Sequence, residues 1–186
     1  MNKFLMIAVT AVAVFGFSYS LKAQTSEDQN LVPLGQVNLG FHGLEVSYEL
    51  PVLKKMIWEN SLGIGMGSNV YGSTIEYVFS FKQPIPFLKS ELKYLYNLNK
   101  RANNGKNIKY NSANYVGLQT KYSFGHAKYY DVNKTLLAEV HWGLQRSLGG
   151  KFMFDTHVGL GYIKDFDTKY DVISPTFGVV FGYKLF

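Results

Sequence analysis

The stretch ISPTFGVVFGYKLF at residues 173–186 decides the fold class of this chain. Successive side chains of a β-strand point to opposite sides of the sheet, so residues of one parity share a face. One face of this stretch is an unbroken apolar set, formed by Phe177, Val179, Phe181, Tyr183 and Leu185. The opposite face is mostly small or polar and includes Gly178, Gly182 and Lys184. The stretch is therefore predicted to be a strand that separates an apolar side from a polar side.

The same alternation recurs along the chain. It is present at residues 44–50, 58–66, 88–97, 115–124, 136–145 and 151–164. The last two segments are joined by Ser147-Leu148-Gly149-Gly150, whose glycines favour a tight connection, so these segments form a predicted hairpin. One such segment is a weak signal, but its repetition is typical of an antiparallel β-barrel.

The start of the pattern allows two interpretations. Residues 37–41 are apolar at odd positions, whereas residues 44–50 are apolar at even positions. A shift by one residue exchanges the two faces of a strand, so a bulge or a tight turn is expected at His42-Gly43. With a turn, residues 35–41 form a first short strand, and residues 75–82 belong to a long loop or extend a neighbouring strand. With a bulge, residues 75–82 are a strand themselves, and both alternatives give eight strands.

Composition excludes several classes of protein. The 186-residue chain has a formal net charge of +6, and its basic residues are scattered, which gives nucleic-acid binding little support. It contains no Cys, so neither a disulfide nor a lipid attached to Cys is available to an exported chain. No stretch after residue 23 approaches roughly 18 consecutive apolar residues, so helical membrane spans are excluded.

Residues 1–23 have the pattern of a secretory signal peptide. Lys3 provides a basic start, residues 4–17 are almost wholly apolar, and a short polar stretch leads to Ala23. The apolar part is shorter than the roughly 20 residues that a membrane-spanning helix needs. We therefore expect export, cleavage after Ala23 and one mature domain at residues 24–186.

The leader, the alternating strands, the Leu-Gly-Gly turn and the ending Phe-Gly-Tyr-Lys-Leu-Phe together resemble the small eight-stranded outer-membrane barrels of the OmpA-like and OmpX-like class. The resemblance implies an all-β, eight-stranded antiparallel up-and-down transmembrane β-barrel with both chain ends facing the periplasm. It also implies that the barrel assembly machinery recognises the last strand through Phe177, Val179, Phe181, Tyr183, Leu185 and Phe186. Because Phe186 is in phase with Lys184, we interpret it as an assembly handle outside the lipid-facing stripe.

Alternation alone does not separate this class from a soluble barrel, which turns its apolar face inward. Ten or more residues per strand, at about 3.3 Å each and tilted by about 40°, cover an apolar band of about 25 Å. The polar face is also rich in Gly, which suits a crowded interior better than an open surface. Aromatic residues near the predicted strand ends are candidates for interfacial girdles; these are Trp58, Tyr94, Tyr96, Tyr122 and Tyr162.

The inward face is predicted to carry a charged network. Its members are Glu45, Glu49, Glu59, Lys89, Glu91, Lys93, Lys121, Glu139, His141, Asp155, His157 and Lys184, with Glu76 and Lys82 added by residues 75–82. The interior of an eight-stranded barrel is just wide enough for side chains, so opposite charges are expected to pair and fill it. Glu139, His141, Asp155 and His157 lie on adjacent strands, and the alternative for them is a polar conduit or a proton-linked site.

No catalytic, cofactor-binding or metal-binding residue is predicted. His141 and His157 could approach each other across the predicted hairpin, but without a second close-spaced ligand motif a hydrogen-bonded interior role is favoured over a metal site. Ser123 and His126 do not place a nucleophile beside a base. Residues 99–112, which are basic and rich in Asn, are expected to be a solvated periplasmic connection.

The expected function is that of a non-enzymatic outer-membrane protein with a structural, adhesive or envelope-maintenance role. The alternatives are a lipid-modifying barrel enzyme, a soluble lipocalin-like carrier and a small pore. The expected partners are outer-membrane lipid, the assembly machinery, and lipopolysaccharide or a surface ligand at the exterior loops. Candidate loop contacts are His126, Tyr129, Tyr130, Asp131, Phe166 and Tyr170.

Overall fold

The computed structural model of the protein describes residues 31–80, 82–126 and 131–186. The predicted signal peptide at residues 1–23 and the loop residues Tyr129 and Tyr130 lie outside the described residues. Within them the strands are β1 (Leu34–Gly40), β2 (Gly43–Leu53), β3 (Met56–Gly65), β4 (Gly67–Tyr71), β5 (Thr74–Val78), β6 (Ile85–Tyr94), β7 (Asn114–Ser123), β8 (Thr135–Gly149), β9 (Phe152–Asp165) and β10 (Asp171–Lys184). A short helix, α1 (Leu98–Asn103), and a 3-10 turn at Lys109–Asn111 lie between β6 and β7.

Eight of these strands form a closed barrel in the order β1-β10-β9-β8-β7-β6-β3-β2. Every neighbouring pair is antiparallel, and β4 and β5 form a separate two-stranded hairpin between β3 and β6. The predicted all-β, eight-stranded antiparallel up-and-down barrel is therefore confirmed. None of the helices in the described part of the chain is long and apolar enough to cross a membrane.

The change of phase near the start of the barrel is a tight turn. Gly40 pairs with Gly43 across Phe41 and His42, and Gly43 has a φ of +133°, which favours glycine. The prediction of a short first strand at residues 35–41 is thus confirmed, and residues 75–82 lie in the long connection between β3 and β6. Glu76 and Lys82 are exposed there, so their predicted interior position is wrong.

We call the end of the barrel that holds the start of β1 and the end of β10 the lower end. The β2–β3 turn, residues 95–113 and the β8–β9 turn also lie at the lower end, because up-and-down strands alternate in direction. The β1–β2 turn, the β4–β5 hairpin, residues 124–126, residues 131–134 and residues 166–170 lie at the upper end.

The outer surface of the barrel is apolar. Leu39 on β1, Leu160 on β9 and Phe177 on β10 are 62%, 63% and 72% exposed, and every strand of the barrel adds residues of this kind. Further exposed members are Leu44, Val46, Leu62, Ile64, Leu88, Leu92, Val116, Leu118, Val140, Val158 and Phe181. The alternation in the sequence therefore places the apolar set outside and the polar set inside.

Aromatic side chains lie on this surface at two levels. Trp58, Tyr94 and Tyr96 lie near the lower end, where the Trp142 indole N–H donates to the Tyr96 hydroxyl at 2.8 Å. Tyr122 and Tyr162 lie near the upper end, and the Tyr122 ring packs edge-on against Phe124 with a centroid separation of 5.0 Å. Two aromatic levels thus border the apolar surface.

Phe186 lies on the outer face. Regular alternation ends at Lys184, because both Leu185 and Phe186 bond to Gly35: the Leu185 N–H donates to the Gly35 carbonyl at 2.8 Å, and the Gly35 N–H donates to the Phe186 carbonyl at 3.3 Å. The Phe186 ring covers Gly35, where a Cβ would clash with it, and its centroid is 6.3 Å from that of the outward-facing Tyr48. The placement of Phe186 outside the apolar stripe, predicted from its phase, is therefore wrong.

The long lower connection folds against the barrel. Leu95, Leu98 and Ala113 pack with Ile57 and Tyr115 of the barrel strands in a buried apolar cluster. Asn111 and Ser112 are also buried. The predicted solvated connection is therefore wrong for this part of residues 99–112, and we call residues 95–113 the plug.

Candidate functional site

The barrel encloses a cavity of about 380 Å³. Its walls carry the inward-facing residues of every barrel strand, and many of them are charged. We call the following set the lumen network: Glu45, Glu49, Glu59, Lys89, Glu91, Lys93, Glu139, His141, Asp155 and His157. All of these are predicted inward, and the structure brings them into two groups of contacts, which Tyr115 links through Asp155 and His141.

Lys93 is the centre of the lower part of the network. Its ammonium nitrogen lies 2.6 Å from Glu59, 3.7 Å from Glu49 and 3.5 Å from Asp155. It also donates to the Gln145 side-chain oxygen at 3.1 Å. Three carboxylates from three different strands therefore share one cation. A buried charge without a partner is costly, which explains this clustering.

Lys89 has the same function one layer higher. Its ammonium nitrogen lies 2.7 Å from Glu45 and 4.0 Å from Glu59. The second oxygen of Glu45 lies 3.2 Å from the ring of His42 in the β1–β2 turn. Asn38 donates to Glu45 at 3.3 Å and to Ser47 at 2.9 Å. The two lysines therefore link β2, β3 and β6 through their carboxylates.

Two histidines and two glutamates form the remaining part of the network. His141 lies 2.9 Å from Glu91 through Nε2 and 2.8 Å from Glu139 through Nδ1. His157 stacks on His141 with a centroid separation of 4.3 Å, and its Nε2 lies 3.3 Å from the same Glu139 oxygen. Glu139, His141 and His157 offer three metal-ligand atoms within 4.8 Å of one another.

The other predicted interior cations lie beside aromatic rings. The Lys121 ammonium nitrogen is 4.3 Å from the centroid of Phe87, and that of Lys184 is 4.7 Å from the centroid of Tyr110. Lys184 lies at the lower end and contacts the plug. The Tyr115 hydroxyl donates to Asp155 at 2.8 Å. Cation–π contacts therefore supplement the ion pairs.

The plug closes the lower end of the lumen. The Asn111 side-chain amide donates to Glu49 at 2.8 Å and to the Val32 carbonyl at 2.9 Å. Gln145 donates to the Tyr110 carbonyl at 3.0 Å, and Tyr110 donates through its hydroxyl to the Gly150 carbonyl at 2.9 Å. The plug is thus bonded both to the lumen network and to the neighbouring turns.

Asp165 organises the upper loops. Its carboxylate accepts from the backbone N–H of Val70 at 3.0 Å, from the Asn133 side chain at 2.8 Å and from the backbone N–H groups of Asp167 and Thr168 at 2.9 Å. Burial alone would raise the pKa of Asp165, but these hydrogen bonds outweigh it and lower the pKa below its ordinary value. The β4–β5 hairpin is thereby fastened over the upper end.

The wall of the barrel is open beside the upper half of β10. β1 pairs with β10 only as far as Gly40 and Val180, and the Phe41 N–H donates to the Val179 carbonyl at 3.4 Å. Above Val179 this edge of β10 has no backbone partner among the described residues. Pro175 has the same parity as Val179, so its missing N–H falls on the unpaired edge and removes no ladder bond.

We call this opening the wall gap. The rings of Phe41 and Phe177, 6.1 Å apart at their centroids, lie beside it. The cavity reaches the gap, because its lining includes Phe41, Pro175 and Phe177 as well as the inward-facing residues. The lumen therefore communicates with the apolar outer surface at this point.

Two features of the site were missed in the sequence. Asp165 does not stand out in the sequence because an acidic residue before a turn is ordinary, although its position at the end of a long strand is a usable signal. Asn111 was assigned to a solvated stretch, although the apolar Leu95, Leu98 and Ile108 indicated a packed segment.

No known protein family, curated protein or solved structure matches this chain.

Proposed function

We propose that this protein is an integral β-barrel of a bacterial outer membrane, with a non-enzymatic structural, adhesive or envelope-maintenance role. The observation that carries the proposal is the distribution of side chains on the two faces of the wall. Large apolar residues are exposed on every strand of the barrel, while carboxylates and ammonium groups are buried inside. This is the reverse of a soluble carrier, whose apolar residues face its lumen.

The energetics favour lipid as the surroundings of the outer face. Apolar surface in water costs about 25 cal/mol per Å² relative to burial. Soluble monomers rarely expose a contiguous apolar patch of more than a few hundred Å². An apolar belt that surrounds the barrel is therefore better explained by acyl chains than by water, and lipid is the partner that the surface fits best.

The dimensions of the wall support the same proposal. β3, β6 and β7 have 10 residues each, and β8, β9 and β10 have 14 or 15. At about 3.3 Å per residue and a tilt of about 40°, ten residues span the apolar band of about 25 Å of an outer-membrane barrel. The two aromatic levels then correspond to the two interfaces.

The interior argues for a closed barrel and against a pore. Lys93 on β6 reaches Asp155 on β9 across the lumen, and Lys89 pairs with Glu45 beside it. The plug lies below these residues, and the β4–β5 hairpin lies above them. We expect no steady conductance in a planar bilayer. Steady single-channel currents from the purified barrel would favour the small pore instead.

Cell fractionation with a gel-shift measurement tests the location. We expect the protein in the outer-membrane fraction, with an unheated sample that migrates differently from a boiled one because the closed barrel resists the detergent. Recovery in the soluble fraction without detergent would contradict the proposal.

Binding partners at the upper loops, such as lipopolysaccharide at the exposed Phe166 and Tyr170, are part of the same proposal.

The wall gap favours a second candidate function, which is binding or modification of a lipid acyl chain. An acyl chain could enter beside Phe41 and Phe177 without leaving the apolar surroundings, and the cavity behind them includes Leu137 and Ile163.

The test is photolabelling with a diazirine fatty acid in vesicles. Labelling inside the barrel that Ser174→Trp abolishes would support this function, and labelling confined to the outer belt would contradict it. Turnover of an acyl ester that is lost in His157→Ala would identify an enzyme.

A further inference from the structure

Three potential ligand atoms converge in the upper part of the lumen network. They are Oε1 of Glu139, Nδ1 of His141 and Nε2 of His157, and the Glu139 oxygen lies 2.8 and 3.3 Å from the two nitrogens. Donors bound at about 2.0–2.2 Å to a tetrahedral zinc ion are ~3.4 Å apart. The 3.3 Å spacing matches that of a metal centre, the 2.8 Å spacing is shorter, and the two nitrogens lie within 4.8 Å of each other.

The buried Nδ1 atom of His141, which has no hydrogen-bond partner, supplies the second observation. A carboxylate only accepts hydrogen bonds, so the 2.9 Å contact with Glu91 makes Nε2 of His141 a donor. In the neutral ring Nδ1 is then an acceptor. It is fully buried, makes no hydrogen bond and faces the Glu139 oxygen, which is another acceptor. Two acceptors at this distance repel each other unless a cation, either a proton or a metal ion, lies with them.

The surroundings are those of a metal site. A metal-bound histidine usually donates its other N–H to a carboxylate, and Glu91 is placed for that function. Glu139 is also oriented, because the Gln119 side-chain amide donates to it at 3.1 Å. Inward-facing carboxylates outnumber the ammonium groups in this part of the lumen, so an added cation is electrostatically favourable.

We propose that Glu139, His141 and His157 bind a divalent transition-metal cation, with zinc as the representative, and that Glu91 and Gln119 position the ligands. Two nitrogens and one oxygen are typical ligands of such borderline cations, whereas calcium and magnesium prefer oxygen. The two imidazole rings are stacked, so metal binding requires the ring of His157 to rotate toward Glu139. The ring of His157 borders the cavity and Gly178, which has no side chain. Three protein ligands leave one position for water or a further ligand.

The test is metal binding by the folded full barrel without an affinity tag. The protein is stripped with a chelator in detergent and titrated with Zn²⁺ in a calorimeter, and with Co²⁺ while the visible spectrum is recorded. We expect one Zn²⁺ per chain, released as the pH is lowered because protons compete for the histidines, and Co²⁺ bands typical of four-coordinate nitrogen and oxygen ligation.

Variants separate the site from adventitious binding. His157→Ala and Glu139→Gln are expected to weaken Zn²⁺ binding at least 100-fold, and Glu91→Gln by about 10- to 100-fold as an outer partner. His126→Ala, which removes a histidine of the upper loop, is the matched control and should bind as the parent does. Each variant is checked for the gel shift of a folded barrel before titration.

The opposite results are equally clear. No saturable Zn²⁺ binding by the folded parent protein would mean that a proton alone bridges His141 and Glu139, and it would overturn the proposal. Binding that survives unchanged in both His157→Ala and Glu139→Gln would place the metal elsewhere and overturn it too. Neither result depends on the location of the barrel in the cell.

Discussion

The two faces of the barrel wall differ in polarity: the outer face is apolar and the inner face is charged. On β9, Leu160 is exposed on the outer face, whereas His157 turns inward to the lumen network. On β6, Leu92 is outside while Glu91 and Lys93 are buried inside. The wall therefore has its charges where a soluble barrel has its core. The comparison teaches that ion pairs fill the inside of this fold, and that its exposed apolar outside is the feature on which the proposed membrane location rests.

The largest expected effect comes from removing the central cation of the inner face. Lys93→Met leaves Glu59, Glu49 and Asp155 without their shared partner. Breaking a buried ion pair on one side costs about 3–5 kcal/mol. Urea unfolding of the barrel in lipid vesicles should show a loss of that size. Lys100→Met on the exposed side of α1 is the control, and equal stability of the two variants would contradict the importance of the network.

A charge introduced on the outer face should lower the stability of the barrel slightly less than the loss of Lys93 does. Leu160→Arg places a guanidinium near the middle of the wall, where a lipid-facing charge costs about 2–4 kcal/mol. The same unfolding measurement applies, with Tyr71→Arg on the β4–β5 hairpin as the control, which should change stability by less than about 0.5 kcal/mol. If water surrounded the wall, the two variants would lose similar amounts of unfolding free energy, and that result would count against the proposed membrane location.

Asp165 allows the upper end to be compared with the wall. Because its pKa is lowered in the folded protein, its ionised form contributes stability that is complete above the ordinary pKa near 4 and is lost as the pH falls through the lower folded pKa. Asp165→Asn should cost about 1–3 kcal/mol of loop stability at neutral pH. At pH 7, proteolysis of residues 66–84 should be faster in the variant than in the parent. Proteolysis of the parent itself should become faster when the pH is lowered below ~4. Equal cleavage of variant and parent at pH 7 would show that Asp165 does not fasten the hairpin.

The smallest effect on the finished barrel is expected at Phe186. Its ring is 70% exposed and contacts Gly35 and Tyr48 on the outer face. We expect Phe186→Ala to slow assembly while it changes the unfolding free energy of the folded barrel by less than about 1 kcal/mol. Pulse-chase recovery of heat-modifiable protein measures the first effect, with Leu148→Ala in the exposed lower turn as the control. Assembly at the parent's rate would contradict the prediction that Phe186 is an assembly signal.

Much of the fold could be predicted from the sequence because alternation is a local property. The parity change between Phe41 and Leu44 was sufficient to predict a turn or a bulge, and the parity of Glu139, His141 and His157 was sufficient to place them on one face. Contacts that depend on barrel closure were not predictable. Glu91 reaches His141 across β7, and Asn111 reaches Glu49 from the plug, which no local pattern indicates. The direction of Phe186 was not predictable because Leu185 and Phe186 both bond to Gly35, which interrupts the regular alternation.

The most direct test of the proposed outer face uses the absence of Cys from the chain. Single cysteines are introduced at Val46, Leu118 and Leu160 on the outer face, and at Gly72 and Lys106 in the upper and lower connections. Each carries an environment-sensitive fluorophore in vesicles that contain brominated lipid. We predict strong quenching by the lipid at the three wall positions and little at the two others. Wall positions that resist the brominated lipid and react with a water-soluble thiol reagent as fast as Gly72→Cys would contradict the account.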